Sequence, residues 1–524
     1  MKRANFAIFF MILFLFTFFP VGYAQDWPMF REDLNHSGVS TSTAPNDNTL
    51  LWSFQVSGNV DSSPAVVGGK VYIGSRSNYK VFCLDENSGG VVWFYQTGGY
   101  VYSTPSVVNG KVYIGSWDTN VYCLDTLGGA VLWTHKTDYY VYSSPAVANG
   151  KVYVGSHDGN FYCLSAENGD EIWRFPINCY LWSSPAVAQG LVYIASSQAP
   201  SPGFGTFEDT IYCLNADTGE LVWKYRTGGY IFSSPAISNG KVYVGSDDGK
   251  LYCFDASTGA VLWSYQTGDA VQSSPAITDG KIYFGSLDKN VYCTNADDNT
   301  EIWRFTTRSG VVSSPAIADG KVYIGSNDYN LYCLNAGSGE LIWSYQSGDI
   351  VHSSPAVADN RVFVGSYDGN LYVFGEPDFT VSVTPKSGSV KQGGAINTTV
   401  KVDIIGSENV MLSTIGTVPG STVDFTPTSG IKTFPSTMTI RTSPNTSSGI
   451  YDITIVGTHG NKVRTTSFRL RVGLSEVPEV LLFIPLILLL LIIPTLMYWW
   501  KIRKKYRRSK IASTGRQARG ILRT

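Results

Sequence analysis

Short runs of alternating apolar and polar residues fill the chain from about residue 47 to 376, and they come in fours. "SSPAVA", "KVYVGS", "NFYCLSA" and "EIWRF", between residues 143 and 175, form one such set. Alternation over so few residues predicts half-buried strands, not helices. The set recurs behind Pro64, Pro105, Pro145, Pro185, Pro235, Pro275, Pro315 and Pro355, spaced 40 or 41 residues apart with one gap of 50 that holds the insert "SQAPSPGFGT" (197–206). Twelve residues before each proline stands Trp52, Trp93, Trp133, Trp173, Trp223, Trp263, Trp303 or Trp343. Four strands per repeat of this length predicts a propeller blade.

The turns fit that reading. Asn-Gly, Asp-Gly or Gly-Gly closes the first hairpin of most copies, and Asn360 replaces the glycine in one; such turns need positive φ. Four residues before each tryptophan stands glycine, or Asn48 and Asn299, and asparagine is the next residue to accept a left-handed backbone. The first copy opens with its tryptophan strand and the last stops after three strands, "NLYVFG". The N-terminal strand is therefore expected to complete the last blade and remove both free edges. The expectation is an all-β chain with an eight-bladed propeller over 47–376, preceded by a lead-in segment at 25–46.

Beyond Glu376 the pattern changes. "TTVKVDII", "STMTIRT", "IYDITIV" and "SFRLRV" alternate cleanly in a Thr- and Ser-rich stretch without cysteine, which predicts a β-sandwich over 377–473. Residues 480–500 are an unbroken apolar run ending in Tyr498, Trp499 and Trp500, followed by "KIRKKYRRSK". Its length and basic flank predict one transmembrane helix over 478–500 and a cytoplasmic tail over 501–524. The opening "MKRANFAIFFMILFLFTFFPVGYAQ" reads as a signal peptide, 1–24. Together these predict single-pass placement in the cytoplasmic membrane with the N-terminal domains outside. Asn35, Asn397 and Asn445 stand in N-x-S/T sequons on the outer portion, as possible glycosylation sites.

"ADTGELVW" (216–223), "ASTGAVLW" (256–263) and the lead-in "DWPMFREDLNHSGVS" (26–40) resemble the quinoprotein-dehydrogenase-like propellers of PQQ-like repeats, among them the outer-membrane assembly factor (BamB-like) proteins. The second domain resembles the immunoglobulin-like stalk domains of prokaryotic surface proteins. The first resemblance implies either a non-catalytic scaffold or a dehydrogenase holding pyrroloquinoline quinone (PQQ) and calcium in the central channel. The dehydrogenases often carry two adjacent cysteines beside the quinone, and this chain has none. The assembly factors are lipoproteins, and here no cysteine precedes Cys83.

Charge and chemistry narrow the choice. Outside the basic termini, 27 Lys/Arg face 41 Asp/Glu, a body that repels nucleic acid. Seven of the eight cysteines (Cys83, Cys123, Cys163, Cys213, Cys253, Cys293, Cys333) share one repeat position, which the eighth copy fills with Val373. Equivalent positions of neighbouring blades lie too far apart for a disulfide, so buried thiols are expected, with Cys179 off register. Five scattered histidines give no metal set, and no nucleophile elbow, phosphate loop or carboxylate pair stands out; the catalytic and metal residues expected are none. The serines before each proline are expected to satisfy backbone groups. Propeller topology puts Lys70, Lys111, Lys151, Lys241, Lys281, Lys321 and Arg361 at the bottom turns, broken by Leu191, and Asp118, Asp158, Asp248, Asp288, Asp328 and Asp368 at the top turns. Hairpin chemistry is the plainer account of both rings.

One corner of the repeat varies. Three and five residues before the proline stand Tyr102 and Tyr100, Tyr142 and Tyr140, Trp182 and Tyr180, Phe232 and Tyr230; the other copies carry Asp61 and Asn59, Gln272 and Ala270, Val312 and Gly310, His352 and Ile350. This aromatic sector at the top mouth of the channel reads either as inter-blade packing or as a ligand site for a sugar, a peptide or a partner loop. The expected function is a membrane-anchored, outward-facing binding or scaffold protein, non-catalytic and without cofactor, for a cell-envelope protein, peptide or glycan. The alternatives are a PQQ-dependent dehydrogenase and a purely structural envelope protein.

Overall fold

Hydrogen bonds join the four runs of each repeat into an antiparallel sheet, and eight such sheets lie between Leu50 and Gly375 of the computed structural model. It describes residues 26–56, 58–197, 209–375, 379–404, 409–416, 418–459, 462–473, 497–501 and Arg503. The expected signal peptide, most of the insert and residues 504–524 lie outside them. In the third blade the strands Ala146–Ala148, Lys151–Gly155, Asn160–Ser165 and Glu171–Pro176 pair in sequence order. The eighth blade takes three strands from Ala356 to Gly375 and its fourth from Leu50–Gln55, with Trp52 opposite Val373. Inner strand Ala356–Ala358 also lies beside Ala65–Val67 of the first blade, so the ring closes as expected.

Burial departs from simple alternation. The two middle strands of a blade are buried at almost every position, and only the outer strand alternates. Each blade is covered on both faces by its neighbours, so a middle strand has no solvent side.

Tryptophan is what joins neighbours. The Trp93 indole lies where a Cβ on Gly129 of the next blade would come within 2.5 Å of it, and its Nε1–H donates to the Thr126 carbonyl at 2.9 Å. Trp52, Trp133, Trp223 and Trp303 donate to the equivalent carbonyls of Glu86, Ala166, Ala256 and Ala336 at 2.8–3.3 Å. Glycine stands over the indole because φ is +71° at Gly129 and no side chain fits. Asn299 holds the same backbone at φ +56°. Asn48 does not adopt positive φ: the chain starts its strand there instead of turning, and the side chain donates to Ser344 O at 2.8 Å.

A second tie runs around the channel. The N–H of Ser63 donates to Thr104 Oγ1, that of Thr104 to Ser144 Oγ, and so on through Ser184, Ser234, Ser274, Ser314 and Ser354, whose N–H returns to Ser63 Oγ, all at 2.8–3.2 Å. These hydroxyls thus satisfy backbone donors, as expected.

The lead-in segment crosses the channel at the end away from the mouth. Its carbonyls at Trp27, Pro28, Leu34, Asn35, Ser37 and Gly38 accept from the inner strands of six blades. Arg31 rises inside the channel, 1% exposed, with Nη1 donating to Pro315 O and Nη2 to Pro275 O at 2.9 Å. His36 Nδ1 contacts Pro235 O at 2.9 Å. All eight cysteines are free and buried.

The chain divides into two compact units, one ending at Pro377 and the other starting at Asp378. In the second, a sheet of Phe379–Thr384, Ala395–Ile404, Phe434–Thr442 and Ser421–Thr426 and a five-stranded sheet led by Ser387–Val390, Lys462–Val472 and Gly449–His459 share one core, with Val400, Met438, Ile453 and Phe468 inside. One expectation is overturned. Among the described residues no helix is long and apolar enough to cross a membrane. The described helical residues are 497–501 and Arg503, where a span needs about 20, and residues 474–496 lie outside the described set. The transmembrane helix at 478–500, the anchoring to the membrane through it and the single-pass localisation are corrected accordingly.

Gly129→Ala should cost about 2–4 kcal/mol in urea unfolding, whereas Gly150→Ala should cost about 1–2 kcal/mol. Both glycines sit near φ +70°, but a Cβ at Gly150 meets nothing within 4 Å. Equal losses would show that backbone strain, not the indole, governs the position.

Candidate functional site: the channel mouth

At the start of every inner strand, the residue five before the proline pairs its carbonyl with the residue that follows the Gly-Ser of the next strand. Trp117 N–H reaches Tyr100 O at 2.9 Å, His157 reaches Tyr140 at 2.8 Å, and Asp247 reaches Tyr230 at 2.7 Å. This ladder places three variable positions per blade at one end of the channel.

The predicted aromatic residues meet there and are all half-buried. Tyr102 stacks on Tyr142 at 4.9 Å between ring centres, Tyr142 touches Trp182 at 4.6 Å, and Trp182 meets Phe232 edge-on at 5.6 Å. A second tier runs from Tyr100 to Trp117 at 5.3 Å and from Trp117 to Tyr140, stacked at 4.6 Å and 5°. His157 joins Tyr180 at 4.8 Å and Trp182 at 4.5 Å. Tyr230 continues the line against Phe232 at 6.3 Å. The Arg76 guanidinium lies over Tyr102 at 5.3 Å and over Tyr100 at 5.8 Å.

The rest of the mouth is polar. The Tyr367 hydroxyl joins Asp61 to His352 Nδ1, the latter at 2.8 Å. Gln272 donates to both oxygens of Asp247 at 3.1 and 3.2 Å. Asp61 Oδ2, Trp117 Nε1, His157 Nε2, Asn327 Oδ1 and His352 Nε2 are buried without a hydrogen-bond partner. Five such atoms in one ring of positions is unusual, since each costs about 1–3 kcal/mol. Burial drives His157 and His352 down to about 4 and raises Asp247 to about 6. Asp61 is also pushed up by burial, against the pull of Tyr367 and Arg76.

Arg76, Trp117, His157, Asp247 and Tyr367 were not anticipated. Their signal lay in the residue after Gly-Ser, which differs in all eight copies (the others are Ser197, Leu287 and Asn327) while its neighbours hardly change. The charged rings are structural. Lys111, Lys151 and Lys241 reach Glu167, Asp217 and Asp297 of the next blade at 2.6–3.0 Å, and Arg361 closes onto Glu86 at 2.8 Å. The top aspartates each accept a backbone N–H from the incoming loop and a tyrosine hydroxyl four residues on, as Asp118 does from Gly98 and Tyr122. The sequon residues Asn35, Asn397 and Asn445 are exposed.

The model of one family, described as outer membrane protein assembly factor BamB, matches residues 36–139, 117–201, 204–286 and 267–409. The chain belongs to the BamB family. BamB from Moraxella catarrhalis is 19% identical, with TM-score 0.54 over 63% of this chain and 97% of that one. A europium-containing methanol dehydrogenase (15% identity, TM-score 0.59, 67% and 98% covered) and the quinohemoprotein alcohol dehydrogenase of Comamonas testosteroni (16%, 0.59, 67% and 81%) share the fold. At these identities the likeness is one of fold alone. No curated protein matches the sequence.

A calcium ion beside PQQ would need several oxygen ligands close together. Among the described residues no three His, Cys, Asp or Glu side chains converge to hold a metal. Arg31 and His36 take up the channel from below, and the cysteines lie inside the blades, with Cys163 opposite Trp173.

His157 binds its proton at about pH 4 in the fold, against about 6.5 unfolded. The unfolded chain therefore holds more protons between these values, and stability falls as pH drops through that window, by about 2–3 kcal/mol at pH 4.5. Asp247, raised, works in the opposite sense. His157→Gln should lose less stability than the unmodified protein between pH 7 and 4.5 in denaturant titrations. Parallel losses would mean that His157 is not held neutral.

Proposed function

We propose that this BamB-family propeller is a non-catalytic binding protein of the cell envelope that takes its partner at the channel mouth. One observation carries the reading: a half-exposed arc, Tyr102–Tyr142–Trp182–Phe232, on four adjacent blades, opposite a polar arc with unsatisfied hydrogen-bonding atoms. Eight blades with one packing solution would repeat one residue at this position, as they do at the tryptophan. Aromatic faces beside mixed donors and acceptors suit an extended peptide segment or a glycan. The family's description as an assembly factor favours a protein partner. Against the PQQ-dependent dehydrogenase stands the lack of a metal-holding cluster among the described residues. We read the second unit as immunoglobulin-like, because its four-stranded and five-stranded sheets follow the strand order of that sandwich.

The thermal midpoint of the full chain should rise with a tripeptide or oligosaccharide panel and not with PQQ plus calcium. A ligand at 100 times its Kd adds about 2.7 kcal/mol. Trp182→Ala should remove the shift. A shift confined to PQQ plus calcium would overturn the proposal, and silence across the panel would favour a purely structural role.

A further inference from the structure

The lead-in segment does more than close the channel. Between it and the inner strands of the fourth to sixth blades lies an open groove of about 910 Å³ on the face opposite the mouth. Leu34, Val187, Ile237 and Ile277 contribute its apolar lining, and Glu32 and Asp33 line it as well.

The charge around this groove is decided by where the neighbouring cations point. Arg31 turns away into the channel, onto Pro275 and Pro315. Lys151 is turned onto Asp217 at 2.6 Å and Lys241 onto Asp297 at 2.8 Å, each satisfied by the following blade. Between them the basic ring is broken: the fourth blade carries Leu191 where the seven others have Lys or Arg. Along the fourth and fifth blades the groove is therefore acidic and apolar on a face whose turns are otherwise basic, whereas Lys281 of the sixth blade has Gly337 at the partner position. Glu32 and Asp33 share a hydrogen bond, and burial together with the Asp33 charge raises Glu32 to about 8, so near neutral pH the pair holds one proton and one negative charge; Asp33 Oδ1 also accepts the Ser37 N–H at 2.9 Å.

We infer that this groove is a second docking surface, independent of the mouth, for a partner segment that presents one Lys or Arg between apolar side chains. The cation would lie against Glu32 and Asp33, and its apolar neighbours against Leu34, Val187 and Ile237. Opposite charge on an apolar floor gives both attraction and register, and the groove has the size of a site for a few side chains.

The test is fluorescence anisotropy of the full chain with a fluorescein-labelled nonapeptide that carries one lysine among leucines and glycines. A twin peptide with glutamate in place of the lysine is the control. The lysine peptide should bind and the twin should not. The double variant E32Q/D33N should weaken binding about tenfold or more, the loss of one charge-assisted contact. Its new amide at position 33 keeps an acceptor for Ser37. Leu191→Lys should also weaken it; that variant restores what every other blade has, and it has Ser257 rather than a carboxylate at the partner position. Equal binding of the two peptides, or unchanged affinity in E32Q/D33N and Leu191→Lys, would overturn the inference. Weakened peptide binding in Tyr142→Val would place the peptide at the mouth and would also overturn the inference. Should E32Q/D33N fail to fold, Leu191→Lys decides alone.

Discussion

Everything in the propeller depends on one contact, the indole of one blade seated under the left-handed turn of the next. Trp93 under Gly129 and Trp223 under Gly259 show its two parts. Six of the turns place a glycine over the indole, and at five joints the carbonyl beside the turn receives the indole N–H, while the indole nitrogens of Trp173, Trp263 and Trp343 are buried without a partner. A large aromatic side chain buries roughly 150–250 Å², so these joints supply much of the cohesion between sheets that share no backbone ladder. The lysine–carboxylate clasps and the serine ring add to the same joints. Residues that look like charged surface or candidate nucleophiles in the sequence are therefore consumed in holding blades together.

Because the joint lies at the outer strand and the closing ring at the serines, the few residues above the serines carry little of this burden. The mouth is the place where the repeat is free to differ, and it does differ, with rings on one side and Asp61, Tyr367 and His352 on the other. The lead-in segment leaves the opposite impression. Its backbone replaces partners for six inner strands, yet its side chains at Glu32 and Asp33 remain beside an open groove.

The fold was legible because its constraints are periodic. Prolines, tryptophans and turn glycines mark each blade, and the missing fourth strand of the last repeat announced closure through Trp52. Alternation misled only on burial, since a middle strand covered on both faces has no polar side to show. Half of the mouth was legible, the half carried by aromatics before the proline. Trp117, His157 and Tyr367 escaped because they sit one strand away in sequence and reach the mouth only through the Gly-Ser ladder. The apolar run at 480–500 promised a membrane helix by its length and basic flank, and among the described residues no helix is long and apolar enough to cross a membrane.

The central claim is that the mouth rings serve a partner while the outer tryptophans serve the fold. The most direct test exchanges mouth residues for those of sister blades, Tyr142→Val after Val312 and Trp182→Gln after Gln272, and compares urea unfolding with Trp93→Phe. The account predicts that the double mouth variant keeps a cooperative transition and loses less stability than the single change at Trp93. A mouth variant that unfolds more readily than Trp93→Phe would contradict it and return the aromatic arc to packing.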